Sequence, residues 1–457
     1  MQVKKRIAFL KIGLLVTLLS AALYAAMVFD PATQPPYSVG PYAMKSGNLI
    51  AGATNAYRPW YENGAWQGDI IEYNIASDGT RTTDASVGSN PAVAGTNNWM
   101  ARATFDSKES SVTDYWKSGG SGRYIFTSTT GANQVDFLWS NLTSSQKTAL
   151  DATTAANTAL DSDPYGSPIL NYVRGNRSDE KSTAGGTLRI RYNLLGDIIN
   201  SWPVYLSRPK EQYSIPGFAQ FKSTHSSRAG RIFVGANDGM LHVFDEADGH
   251  EVYAYVPSML LDKLYRLPAT PYHHTYYVDG QLIAASAQTG TTWKSLVAGG
   301  LGAGGKGLYA LDVTSASASN NKVLFEKTGA DFGHIYGAPG IGRLADGTWH
   351  VFTGNGYGSA NGVAKLLIIS VDGSFNVTAL STGAAGGLSA PTLIDVTGNQ
   401  KVDLVYAGDS AGDLWKFDLR PATPTVTKIF NGSADQPITA APAVGPSPNG
   451  GFMIYFG

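Results

Sequence analysis

A chain of 457 residues with 15% charged residues and a formal net charge of −1 lacks the basic face that nucleic-acid binding requires. It holds no cysteine, which rules out disulfides, thiolate metal sites and cysteine nucleophiles. With 53 glycines and 24 tyrosines the composition suits a turn-dense, strand-rich extracytoplasmic protein, long enough for more than one domain.

Lys4-Lys5-Arg6, a mostly apolar run over Ile7–Tyr24 and small residues at Ala21, Ala22, Ala25 and Ala26 read as a cleaved secretory signal over 1–25. An uncleaved anchor is the other reading of so short an apolar run. Residues 26–187 then form a smaller β-rich region with short helices. Its prolines at 31, 35, 36 and 41 make Met27–Met44 an extended leader. Two strands are expected around the Asn63-Gly64 turn, with Ile71, Tyr73 and Ile75 on one apolar face. Short strands follow at Arg102–Phe105 and Gly122–Thr127. Thr143-Ser144-Ser145-Gln146 has capping-box spacing and opens a helix to Leu150. Ala152–Asp163 is weakly specified. Ile169–Arg174 is a second helix stopped by Gly175. Arg174, Arg177, Asp179 and Glu180 read as a solvated helix end, because exposed ion pairs are common and cheap.

From Leu188 the texture changes to strands at regular spacing. Arg231–Gly235 leads through a glycine turn into Leu241–Asp245, and Ser295–Gly299 into Gly307–Asp312. Val351–Gly354 leads into Lys365–Ser370, and Leu404–Gly408 into Gly412–Asp418. The spacing of about 50–65 residues is that of propeller blades. Ala338-Pro339, Ala390-Pro391 and Ala441-Pro442 each open a unit, where proline is tolerated at the start of a strand. Crowding of strands around a central channel explains Gly235, Gly299, Gly354 and Gly408. The fold class is mainly β: a β-propeller with quinoprotein-like blades over 188–457. Some four units and the beginning of another at Phe452–Gly457 cannot close a ring of roughly six to eight blades, so a truncated product or gene fragment is expected.

Gly196–Tyr205, Val234–Asp245, Ala254-Tyr255-Val256-Pro257, Tyr276–Gly280, Val297–Gly307 and Gly354-Asn355-Gly356-Tyr357 are more specific than propeller texture. In this order, with Trp66–Tyr73 and Leu170–Gly175 upstream, they closely resemble the PilC/PilY family of type IV pilus assembly and tip-adhesin proteins. The resemblance runs from about Ala56 to the end. It implies a non-enzymatic, exported protein at the outer membrane, cell surface or pilus tip, supporting assembly, adherence and twitching motility. Pilins and minor pilins, and host surface receptors, are the implied partners. The von Willebrand A-like module that family members often carry, with its Asp-x-Ser-x-Ser motif, has no counterpart here.

Asp395–Asp403 resembles the family's EF-hand-like calcium loop. Mapped in order, Asp395, Thr397, Asn399, the Lys401 carbonyl and Asp403 would be the ligands. Calcium takes about six to eight oxygens, and affinity follows ligand charge. With two carboxylates and Lys401 nearby, binding should be weak or lost. An ordinary polar connection with side-chain turns at Thr397 and Asn399 is the alternative.

His273 and His274 are adjacent on a strand and so face opposite ways, which favours a surface or core role over metal ligation. Gly302–Gly307 lacks the Lys-Ser/Thr of a phosphate cradle and reads as a turn. Trp293, Trp349 and Trp415 are expected to pack between blades. Two further functions remain open: a scaffold for outer-membrane assembly, and a quinoprotein-type dehydrogenase. The second is weakened by the absence of the cysteine pair that such enzymes share.

Overall fold

In the computed structural model, residues 37–39, 43–44, 54–78, 99–317 and 322–457 are described. The signal segment 1–25 lies outside them, as does most of Met27–Met44. The described parts of that leader, β1 (Tyr37–Val39) and β2 (Ala43–Met44), are not a free extension. Both pair antiparallel with β3 (Thr54–Glu62), which pairs along its full length with β4 (Gln67–Ile75). The β3–β4 turn carries positive φ at Gly64 and Trp66.

The strand expected at Arg102–Phe105 is instead a helix, α1 (Ala101–Ser111). Its buried residues Ala101 and Phe105 stand four apart, the helical rather than the strand period. Met100 gives it no side-chain cap. The Asp69 carboxylate of β4 accepts the Arg102 amide at 2.9 Å and supplies one from outside. Two later elements form as expected. In α2 (Ser144–Leu150) both bonds of the Thr143/Gln146 capping box are present. Helix α4 (Pro168–Arg174), which follows the one-turn α3 (Ala152–Ala155), ends at Gly175 with φ +117.

From Val204 onward the chain builds four-stranded antiparallel meanders. The first is β7 (Val204–Leu206), β8 (Arg231–Gly235), β9 (Leu241–Asp245) and β10 (Glu251–Tyr255). The second is β11 (Leu282–Thr289), β12 (Thr292–Gly300), β13 (Leu308–Asp312) and β14 (Lys322–Lys327). The third is β15 (Gly340–Arg343), β16 (Trp349–Gly354), β17 (Val363–Ser370) and β18 (Val377–Ala385). The fourth is β19 (Thr392–Ile394), β20 (Leu404–Gly408), β21 (Leu414–Asp418) and β22 (Thr425–Phe430). A last hairpin joins β23 (Ala443–Pro446) to β24 (Phe452–Tyr455). The outer edge of the first blade is extended by β5 (Ile125–Ser128), parallel to β10, and by β6 (Gln134–Asp136). The tip of the β5–β6 hairpin reaches the second blade, where the Gly131 carbonyl accepts the Glu326 amide at 2.6 Å.

Strands β7, β11, β15, β19 and β23 run past one another in turn and are the innermost of their blades. This corrects the expectation that the glycine-ended strands line the channel: β8, β12, β16 and β20 are second in each blade. Their terminal glycines serve another purpose. A Cβ on Gly235 would stand 2.2 Å from the Val278 carbonyl oxygen, and one on Gly354 1.9 Å from that of Ser389. In the second blade the equivalent is Gly300, against the Ile335 carbonyl oxygen at 2.3 Å, rather than Gly299. At Gly408 the obstacle is the Ile438 side chain. Each glycine thus receives the chain as it enters the next blade, and no side chain fits there.

The hydrophobic cores follow these joints. Blades two and three share a cluster containing Trp293, Leu296, Trp349 and Val351, and blades three and four one containing Phe352, Leu366, Val405 and Trp415. Trp293 and Trp349 pack edge to face with centroids 5.6 Å apart, the contact between blades expected of them. Trp415 also anchors its own blade, donating from Nε1 to Asp409 at 2.7 Å.

A candidate cation loop and the strap beside it

Hairpins between first and second strands are short in most blades, spanning residues 290–291, 344–348 and 447–451. Two are not. Residues 395–403 join β19 to β20, and residues 207–230 join β7 to β8. The longer one contains α5 (Phe218–Thr224) and crosses the face of the propeller as a strap.

All five expected cation ligands fall in the 395–403 loop, which is folded around its own carboxylates. Asp395 Oδ1 accepts the amides of Thr397, Gly398 and Asn399 at 3.1, 2.7 and 3.2 Å, and its Oδ2 that of Gln400 at 2.6 Å. Asp403, buried at the start of β20, accepts the Val396 amide at 2.9 Å and the Thr397 amide at 3.2 Å. Asn399 Oδ1 turns back to the Lys401 amide at 3.0 Å. Gly398 and Gln400 take φ of +72 and +64. The Lys401 ammonium lies away from the loop's carboxylates, on the Ala345 carbonyl at 2.6 Å.

The donors suit calcium in kind: two carboxylates, a hydroxyl, an amide and a carbonyl, all hard oxygens at alternate positions. In charge they supply only two units. Each carboxylate already serves backbone amides, a use that calcium loops share with turns that bind nothing. Among the described residues no three His, Asp or Glu side chains converge as a metal cluster.

The loop is not isolated. Gln400 Oε1 accepts the Ser214 amide at 2.9 Å and its Nε2 donates to the Gln212 carbonyl at 3.2 Å, both on the strap. The strap is fixed in turn by aromatic packing. Tyr213 stacks on Trp293 at 5.6 Å and meets Trp349 at 5.2 Å; Phe218 meets Trp293 at 4.7 Å, and Trp293 Nε1 donates to the Pro216 carbonyl at 3.0 Å. Blades one to four are therefore tied along one face. Gln400 and the strap were not singled out in the sequence; the long interval between Leu206 and Arg231, within a repeat of short hairpins, is the signal that would have found them.

The other candidates resolve into structure. The Arg174 cluster is not a solvated helix end: the Arg174 guanidinium is fully buried and donates to the carbonyls of Trp116, Phe137 and Arg123. Burial, together with Arg123, lowers it to about 10. Glu180 is buried and paired with Arg191 at 2.8 Å. His274 donates from Nε2 to the Asp197 carboxylate at 2.8 Å and stacks under Trp66 at 3.9 Å, which fastens the β3–β4 turn to the propeller. Residues 302–304 form a single tight turn between β12 and β13.

Comparison with known proteins decides the family. The model of the PilY1 beta-propeller domain matches residues 195–457. The chain belongs to the PilY1 beta-propeller family. It is 35% identical over 396 residues to the type IV pilus biogenesis factor PilY1 of Pseudomonas aeruginosa strain PAK, covering 82% of this chain and 32% of that protein. A PilY1 homolog of Xylella fastidiosa is 33% identical over 431 residues, 90% of this chain and 31% of its own length. The chain thus spans about a third of the length of the curated relatives it matches. The crystal structure of the P. aeruginosa PilY1 C-terminal domain is similar with a TM-score of 0.48 and 33% identity, over 55% of this chain and 58% of that one. Within this PilY1 propeller, the motifs that carry the resemblance fall largely at the joints between blades. Val278 and Gly280 in Tyr276–Gly280 press on Gly235 and Gly300 respectively, and Gly354 in Gly354–Tyr357 meets Ser389. They lie where one blade packs on the next.

Proposed function

We propose that this chain acts outside the cytoplasm as the propeller part of a type IV pilus biogenesis factor. It is a non-catalytic protein of the outer membrane and cell surface that supports pilus assembly and twitching motility and contributes to adhesion at the pilus tip. Pilins and minor pilins are its partners within the pilus system, and host surface receptors its partners in adhesion. The match of the PilY1 propeller model to residues 195–457 carries this reading. The joint glycines and the shared cores between blades fit this reading, since they make a closely packed surface that partners could meet. No helix among those residues is long and apolar enough to cross a membrane.

Calcium, in this proposal, is held weakly by Asp395, Thr397, Asn399, the Lys401 carbonyl and Asp403, with water completing the shell. Through Gln400 it stiffens the strap and so modulates the face that partners meet. Deleting the gene should abolish or reduce surface pili and the twitching zone, and the intact gene should restore both; normal piliation in the deletion strain would refute the assignment. Calorimetric titration should show calcium heat that disappears in Asp395→Ala and Asp403→Ala. A silent wild-type titration removes calcium and leaves the pilus role standing.

A further inference from the structure

A crevice lies where the β3–β4 turn, helix α4, residues 189–196 and the β8–β9 turn meet. Its walls are pressed together. The Gly68 amide donates to the Leu195 carbonyl at 3.1 Å, and a Cβ on Gly68 would stand 2.2 Å from the Gly196 carbonyl oxygen. The space within is about 20 Å³, room for one small polar group and not for a ring. Trp66 borders it with φ of +52, a left-handed conformation that a bulky residue takes only under constraint. The constraint is its stack on His274, itself bonded to the buried Asp197, which holds the indole in place. Tyr192 borders the crevice too and is 76% exposed.

Most polar groups of the lining are committed to the fold. Asn193 donates to Asp106 at 2.8 Å, and Asn237 to Asp197 at 2.7 Å. Asp238 accepts the Gly196 amide at 2.8 Å and pairs with His242, while Arg191 pairs with the buried Glu180. Arg189 is set differently. Its Nε donates to the Tyr172 hydroxyl at 3.2 Å, and its guanidinium lies over the Tyr272 ring at 3.7 Å. Both contacts are to neutral groups. They fix the plane of the fork and leave its two terminal nitrogens for a further acceptor. With Asp238 answered by His242 and Arg191 by Glu180, the balance of charge in the crevice is positive and sits at Arg189.

We propose that this crevice captures an Asp or Glu side chain from an extended acidic segment of a partner protein. The carboxylate sits on the terminal nitrogens of Arg189, and the residues flanking it in the partner lie over Trp66 and Tyr192. Size and charge select this occupant together: a carboxylate fits the narrow space, whereas an aromatic or sugar ring does not, and a lysine would face the arginine. A free anion would leave the Trp66 and Tyr192 rings uncovered. Trp, Tyr and Arg are also the residue types that carry most of the binding energy at protein contacts. The crevice shares no residue with the 395–403 loop, and the proposal stands apart from calcium and from the pilus assignment.

An array of capped pentapeptides, randomised except for a fixed central Asp, Glu, Asn, Gln or Lys, tests it on the whole chain. Acid-centred peptides should be retained about tenfold above their amide counterparts, and salt should weaken them. Sodium acetate, the bare carboxylate, should bind at least about tenfold more weakly than the best of these peptides. Arg189→Gln should erase the preference for acidic centres, and Arg189→Lys should keep only part of it, because a point charge replaces the fork. Tyr192→Ala, at an exposed position, should weaken the acidic peptides several-fold at an unchanged melting temperature, which keeps the test open if Arg189→Gln disturbs the fold. Equal retention of acid-centred and amide-centred peptides would overturn the proposal. So would an acid preference that survives Arg189→Gln, indifference to Tyr192→Ala, or acetate binding as tightly as the peptides.

Discussion

The first and fourth blades share one meander but differ in what lies on their outer edge. In the first, β5 pairs with β10, and the side chains between them are closed off from water. In the fourth, β22 is exposed along nearly all its length. The covered edge contains a charged chain. Arg123 meets Glu251 at 2.7 Å, Glu251 meets His242 Nδ1 at 2.7 Å, and His242 Nε2 reaches Asp238 at 3.0 Å; the Arg123, Glu251 and His242 side chains are at most 1% exposed. The open edge has an ion pair too, Lys428 with Asp413, but its lysine is 37% exposed. Covering an edge removes an aggregation hazard, and it makes every charge beneath it depend on its partner.

The sharpest way to break this contrast is to remove one cation from each blade. Arg123→Ala leaves Glu251 buried without its guanidinium and should cost roughly 3–5 kcal/mol in denaturant unfolding. Lys428→Ala should cost less, roughly 2 kcal/mol, because Asp413, though buried, keeps the Gly432 amide and the site opens to water on the lysine's side. Equal losses would show that β5 does not seal the first blade.

Joint glycines give a second, smaller contrast. Gly235→Ala drives a methyl into the Val278 backbone carbonyl, which cannot yield without parting blades one and two. A loss of more than about 2 kcal/mol is expected. Gly408→Ala meets Cγ2 and Cβ of Ile438 at 2.1 and 2.3 Å, with that residue's carbonyl oxygen farther off at 3.1 Å, and should cost less in the same melting experiment.

Acidity separates the blades without mutation. For His242, burial opposes the charge, but Asp238 and Glu251 outweigh it and raise the imidazole from 6.5 to about 9. A raised folded value gives stability that is complete below pH 6.5 and lost as pH rises through 9. Asp69, which burial raises to about 7, acts in the same direction: its contribution is complete below 3.8 and lost as pH rises through 7. For Glu251, burial is overcome by Arg123, which brings the carboxyl from 4.5 down to about 2, so its contribution is lost as pH falls through 2. Amide exchange, corrected for intrinsic rates, should show β9 and β10 losing protection between pH 6 and 9 relative to β20 and β21. His242→Gln should flatten that difference; parallel pH curves in the two blades would contradict it.

How far the sequence was legible follows the same division. Blades repeat, and their glycines and Ala-Pro pairs mark the units, so the propeller and the family resemblance could be read from Val234–Asp245 or Leu404–Asp418 directly. The order of strands within a blade could not, because small residues at a joint and small residues at a channel look the same in one dimension. Helix α1 was missed since its cap, Asp69, lies on a distant strand. The Arg174 cluster looked solvated because its partners are carbonyls, which leave no mark in the side-chain pattern. The 395–403 loop could be read as the connection before Leu404–Gly408, but not that it follows the innermost strand rather than preceding it, and its tie to the strap rests on Gln400, a residue the ligand pattern passes over.

That tie gives the smallest expected effect. Asp395 holds four backbone amides of an exposed loop, and water can replace most of what Asp395→Ala removes. Each net hydrogen bond is worth about 1 kcal/mol at most in such a place, so global stability should change by no more than about 1–2 kcal/mol. The local consequence is more telling. Losing the turn releases the positive-φ Gln400, and with it the bonds to Gln212 and Ser214. Amide exchange at Ser214 should therefore quicken in Asp395→Ala, while Trp293 and the strap helix α5 keep their protection. Unchanged exchange at Ser214 would mean that the strap is held by its aromatic anchors alone, and that the loop exerts no influence across the face.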